Sequence, residues 1–81
     1  LNDTYRRKNG RRLEGDALAH HIARDIRGKL LNMVYMRVKH AGLKIRVHKV
    51  DGVVASQGGE RDMARINIEL NNGLISNAWV G

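Results

Sequence analysis

Two apolar runs joined by Asn72-Gly73 constrain the fold of this chain more than any other stretch; residues 65–80 read RINIELNNGLISNAWV. An Asn-Gly pair supplies the two positive φ angles of a type I′ turn, whose twist matches that of the strands it joins. A two-residue turn there sets Leu70 opposite Ile75, Ile68 opposite Asn77 and Ile66 opposite Trp79, leaving Arg65, Asn67 and Glu69 on the other face. The alternation predicts a hairpin with one apolar side that needs a cover, and it makes Trp79 a core anchor. Asn77 is the one polar residue this pairing sends inward.

A second alternating stretch, VYMRVKHAGLKIRVHKV at residues 34–50, reads the same way. Val34, Met36, Val38, Ile45 and Val47 fall on one strand face, and Tyr35, Arg37, Lys39, Lys44, Arg46 and His48 on the other. A turn at Ala41-Gly42 pairs apolar with apolar residues and brings Arg37 opposite Arg46, an arrangement that is unfavourable unless an anion lies over it. Residues 33–40 also fit a helical period through Met33, Val34 and Val38, so a continuing helix is the competing reading. The alternation and the β-branched residues favour a strand.

Upstream, Leu18, Ile22, Ile26 and Leu30 recur every fourth residue from Asp16, a plausible N-cap, which predicts one amphipathic helix weakened at Gly28. Residues 1–15 hold Arg6, Arg7, Lys8, Arg11 and Arg12 with little apolar content, the composition of a flexible basic arm. Asp51-Gly52 signals a turn, and QGGERD at residues 57–62 an exposed loop. The expected architecture is α+β: one amphipathic helix packed on a four- or five-stranded antiparallel β-meander, with the arm ahead of a single domain at residues 16–81. So small a core gains from company, and a lightly charged strand edge near residues 66–70 predicts a homodimer or larger homo-oligomer.

The 81 residues carry a net charge of +7, unevenly placed: thirteen Lys/Arg against four Asp/Glu in the first 50 residues, and two against four in the rest. Such segregation points to a polyanion, with the arm and the face of Tyr35, Arg37, Lys39, Lys44, Arg46 and His48 as the contact. There is no cysteine, which removes disulfides and thiolate metal sites and fits a reducing, cytoplasmic setting. No apolar run approaches the ~20 residues of a membrane span, no signal-peptide pattern opens the chain, and the start at Leu1 leaves room for residues upstream. His20 and His21 are adjacent, so a helix turns them about 100° apart and they do not chelate as a pair. Neither Ser56 nor Ser76 sits in a nucleophile motif. The expectation is therefore a non-enzymatic binding protein without metal or cofactor, its ligand nucleic acid, a nucleotide or an acidic protein surface.

A last pattern points elsewhere. Arg65, Ile66, Asn67 and Ile68, followed by Gly73, Ile75 and Gly81, resemble the closing strands of small serine-protease inhibitors of the potato inhibitor I and I78 type. There a strand beginning Arg-Leu-Asn-Val or Arg-Val-Arg-Val leads through a turn to a final glycine. The resemblance implies an inhibitory loop, which would lie at residues 51–63.

Overall fold

A computed structural model describes residues 15–81 of the chain. The arm, with Arg6, Arg7, Lys8, Arg11 and Arg12, lies outside the described residues. The elements in order are helix α1 (Gly15–Asp25), helix α2 (Leu31–His40), and strands β1 (Lys44–Val50), β2 (Val53–Val54), β3 (Arg65–Asn71) and β4 (Leu74–Val80). The four strands form one sheet in the order β2-β1-β3-β4. The central pair, β1 and β3, is parallel, and both outer pairs are antiparallel. The architecture is α+β as expected, but with two helices instead of one and a mixed sheet instead of an antiparallel meander.

The expected first hairpin does not form, because residues 31–40 are helix. Val34 and Val38, four apart, are both buried, so a helix satisfies them as fully as alternation would. The Ala41-Gly42 signal is a helix stop and not a hairpin turn. Gly42 holds φ 81, its N–H donates to the Lys39 carbonyl at 3.0 Å, and the Leu43 N–H donates to the Val38 carbonyl at 3.3 Å. This is the Schellman arrangement, completed by burial of both Leu43 and Val38. Gly28, at φ 83, separates the two helices and turns the chain so that its N–H meets the Ile75 carbonyl at 2.7 Å.

The helices cover one sheet face, α1 against β3 and β4 and α2 against β1. Ile22, Ile26, Val38, Ile66, Ile68 and Ile75 are the largest apolar side chains fully enclosed between the layers. Leu18, Ile22 and Ile26 of the expected stripe join this core, while Leu30 remains 40% exposed.

The second hairpin forms with its expected turn, Asn72 at φ 52 and Gly73 at φ 82, and Leu70 pairs with Ile75. Beyond that pair the register shifts: Glu69 pairs with Asn77, Ile68 with Ala78, Asn67 with Trp79 and Ile66 with Val80. Ser76 is the extra residue of a β-bulge, and its hydroxyl donates to the Glu69 carbonyl at 3.1 Å. The bulge removes the inward Asn77 of the regular pairing. Ala78 and Val80 enter the core, and Trp79 moves to the opposite, open face of the sheet. Gly73→Val places a β-branched residue at a positive φ and is expected to lower the melting temperature by at least about 5 °C, read by circular dichroism.

β3 is interior, so it offers no edge for pairing with another copy. Of the sheet's two edges, β4 is covered from within the chain: Gly73 and Ile75 carbonyls accept from Leu31 and Gly28 N–H groups, and the Arg27 guanidinium donates twice to the Ala78 carbonyl, at 2.8 and 3.2 Å, while the other edge is the two-residue β2 alongside β1. Occupied carbonyls leave little ladder for an added strand on the β4 side.

Candidate functional site

Adjacent parallel strands cannot be joined by a tight turn, so the chain must travel back from the end of β1 to the start of β3. Such crossovers are usually helical. Here residues 51–64 make the journey with only the two-residue β2, the kind of long irregular connection that tends to carry function.

The sheet holds this loop by its backbone. The Arg46 guanidinium, on β1, donates from Nη1 to the Gly58 carbonyl at 2.8 Å and from Nε to Asn67 Oδ1 at 2.9 Å. Arg65, at the start of β3, donates from Nη2 to the Glu60 carbonyl at 2.8 Å and from Nε to the Gly81 carbonyl at 2.9 Å. Asn67 closes the circuit, its Nδ2 donating to the same Gly81 carbonyl at 2.6 Å. Asn67 is 1% exposed, and its amide has partners at both ends. His48 Nδ1 lies 2.7 Å from the Ser56 carbonyl, the ring packs edge-on against Trp79 at 5.5 Å, and Nε2 stands 4.0 Å from Glu69 Oε2.

Three loop carbonyls, at residues 56, 58 and 60, are thus pinned by side chains of the open sheet face. Gln57, Gly58, Gly59, Glu60 and Arg61 face solvent. Gly58 and Gly59 hold φ 76 and 85, a conformation few other residues adopt, so the apex is a turn without side chains. Asp62 anchors the returning end by accepting from Lys44 Nζ at 2.7 Å and from the Ala64 N–H at 2.9 Å.

The six residues expected to share one basic strand face are divided between two elements. Tyr35, Arg37 and Lys39 are on α2, and Lys44, Arg46 and His48 on β1. Arg37 pairs with Asp25, Lys39 Nζ lies 6.0 Å over the Tyr35 ring, Lys44 pairs with Asp62, and Arg46 and His48 hold the loop. The Arg37–Arg46 juxtaposition is absent because the hairpin is absent. Arg65 and Asn67 are the bracing residues that charge and periodicity did not single out. The signal for them was the long polar, glycine-containing segment between two strands, whose carbonyls had to find donors.

Asp25 and Asp62 titrate low. The hydrogen bond from Arg37 holds Asp25 below the ordinary value of 3.8, against the opposing effect of burial and with help from the charges of Arg37 and Lys29. The hydrogen bonds from Lys44 and the Ala64 N–H lower Asp62 in the same way. A depressed folded-state pKa gives stability that is complete above the unfolded value and is lost as pH falls through the folded one. Melting temperature is therefore expected to hold down to roughly pH 4 and fall by a few degrees below it, with a smaller fall in Asp25→Asn; pH-dependent thermal melts check this.

Among the described residues no three His, Cys, Asp or Glu side chains converge as metal ligands, and no helix is long and apolar enough to cross a membrane. No protein-family model, curated protein or solved structure matches this chain, so its own geometry is the basis for a functional reading.

Proposed function

We propose that this chain is a protein-binding module that inhibits its partner by inserting the braced loop at residues 56–62 into a cleft, with a serine protease as the partner class the inhibitor resemblance implies. The observation that carries the reading is the pinning of three alternate loop carbonyls, those of Ser56, Gly58 and Glu60, by His48, Arg46 and Arg65. Ordering a free backbone costs about 1–2 kcal/mol per residue on binding, and a loop already held by the sheet avoids much of it. With Gly58 and Gly59 at its apex the loop enters through backbone and through the flanking Gln57, Glu60 and Arg61, which suits a shallow primary pocket better than a deep one.

The test is inhibition of a panel of serine proteases with basic, aromatic and small-residue preferences, using the intact chain. Competitive inhibition of a small-residue enzyme, abolished by replacing residues 57–61 with a glycine-serine segment, is expected. Cleavage after Arg61 without inhibition, or no effect on any enzyme at tens of micromolar, overturns the reading.

The concentration of positive charge in the first 50 residues favours a second reading, binding of nucleic acid or a nucleotide by the arm with Tyr35, Arg37, Lys39, Lys44, Arg46 and His48. It requires log affinity to fall with log salt at about 0.7–0.9 per phosphate neutralised. Absence of salt-dependent binding to DNA, RNA and nucleotides removes it.

A further inference from the structure

We propose that the groove between α2 and the β3–β4 turn is a docking site for an acidic amphipathic helix of a partner protein. The groove encloses about 540 Å³ and is lined by Leu30, Leu31, Tyr35 and Met36 on one side and by Leu70 and Gly73 on the other, with Asn32 and the Tyr35 hydroxyl as its polar side-chain groups. Its volume lies within the range of about 300–1,000 Å³ typical of sites that bind small ligands or a few inserted side chains. Met36 is 58% exposed, and beside the lining residues Met33 is 76% and Leu74 44% exposed. Flexible thioethers at an exposed apolar surface adapt to the side chains they receive. None of the loop residues 56–62 lines this groove, so it is separate from the inhibitory reading.

Charge selects the partner's sign. α2 contains no carboxylate in its ten residues, and with Arg37 paired to Asp25 the cation it contributes beside the groove is Lys39. Lys39 Nζ sits 6.0 Å over the Tyr35 ring that forms part of the wall, which places a cation on the rim. Asp25, the acid facing α2, is already held by Arg37 and Lys29. Asp51, whose N–H donates to the Leu70 carbonyl, accepts the Asn72 N–H on its carboxylate.

Backbone accounting selects the partner's shape. A peptide adding as a strand needs free edge carbonyls, and those of Gly73 and Ile75 beside the groove are occupied by Leu31 and Gly28. A helix brings its own backbone hydrogen bonds and needs only a slot for its apolar stripe. A membrane surface would call for a protruding apolar ridge, whereas this surface is concave.

The test uses a synthetic helical peptide with leucines at i, i+3, i+4 and i+7 and glutamates elsewhere, beside a scrambled peptide of equal composition, a lysine-for-glutamate analogue and anionic phospholipid vesicles. Amide shift mapping should place the acidic helix against Leu30, Tyr35, Met36 and Leu70. Its affinity should exceed that of the scrambled and lysine peptides by at least about tenfold. Met36→Glu, which keeps a good helix former at an exposed position, should weaken it by about tenfold, and Lys39→Glu by about threefold, with circular dichroism confirming that each variant is folded. Equal binding of acidic and basic helices, shifts confined to residues 56–62, preference for vesicles, or self-association of the chain through the same residues overturns the proposal.

Discussion

Arg46→Lys is expected to weaken partner binding by about tenfold or more while leaving the sheet folded. Arg46→Ala combined with Arg65→Ala should weaken it by roughly 30- to 150-fold. Arg46 bridges two acceptors, Gly58 O and Asn67 Oδ1, with separate nitrogens of one planar group. A lysine ammonium keeps the charge but does not reproduce that fork. Hydrogen bonds from a charged donor contribute about 1.5–3 kcal/mol each, and those here are partly exposed, so about 2–3 kcal/mol of loop ordering is a reasonable expectation for the double change. At about 1.4 kcal/mol per tenfold, that gives the stated range. Asn67 is buried, so losing the Arg46 donor also lowers stability by about 1–3 kcal/mol. Inhibition constants with parallel melting curves separate the two effects. Arg46→Lys also divides the two functional readings, since a phosphate contact tolerates lysine and a two-acceptor brace does not.

The second large effect concerns the register of the hairpin. Ile68 is fully buried on an interior strand, between Val47 of β1 and Ala78 of β4. Ile68→Ala should cost about 2–5 kcal/mol, a large share of the roughly 4–12 kcal/mol available to a chain of this length. Trp79→Ala should cost less, because the bulge at Ser76 carries Trp79 to the open face, where it packs on His48 and stays partly exposed. Without the bulge the order reverses, since Trp79 would then oppose Ile66 in the core. Urea denaturation of the two variants compares them directly, and a larger loss for Trp79→Ala contradicts the observed register.

The hairpin turn, the core roles of Ile66 and Ile68 and the α1 stripe were legible because each rests on one unambiguous local signal. Residues 33–40 were not, since Val34 and Val38 satisfy both a period of two and a spacing of four. Ala-Gly serves equally as a turn and as a helix stop, and only burial of Leu43 against Val38 decides between them. The parallel pairing of β1 with β3 was hidden for a different reason: it depends on what a fourteen-residue connection does in space, and local periodicity is silent on that. The bulge did leave a trace, the inward Asn77 that regular pairing could not explain. Sequence displays the charge of the basic residues of β1 but not the loop carbonyls they meet, so charge alone points to an anion surface. A hydrogen-bonded arginine and a phosphate-binding one look alike until the backbone around them is placed.

The most direct test of the account is whether the loop is rigid in the free protein and rigid because of Arg46 and Arg65. Nitrogen-15 relaxation of the amides at residues 57–61 measures this. Order parameters of about 0.8 or higher, similar to those of β1 and β3, are expected, falling below about 0.6 in the Arg46→Ala, Arg65→Ala double variant. Order parameters below about 0.6 at these residues in the unaltered protein would contradict it, because a loop that moves freely on this timescale is not held by the sheet beneath it.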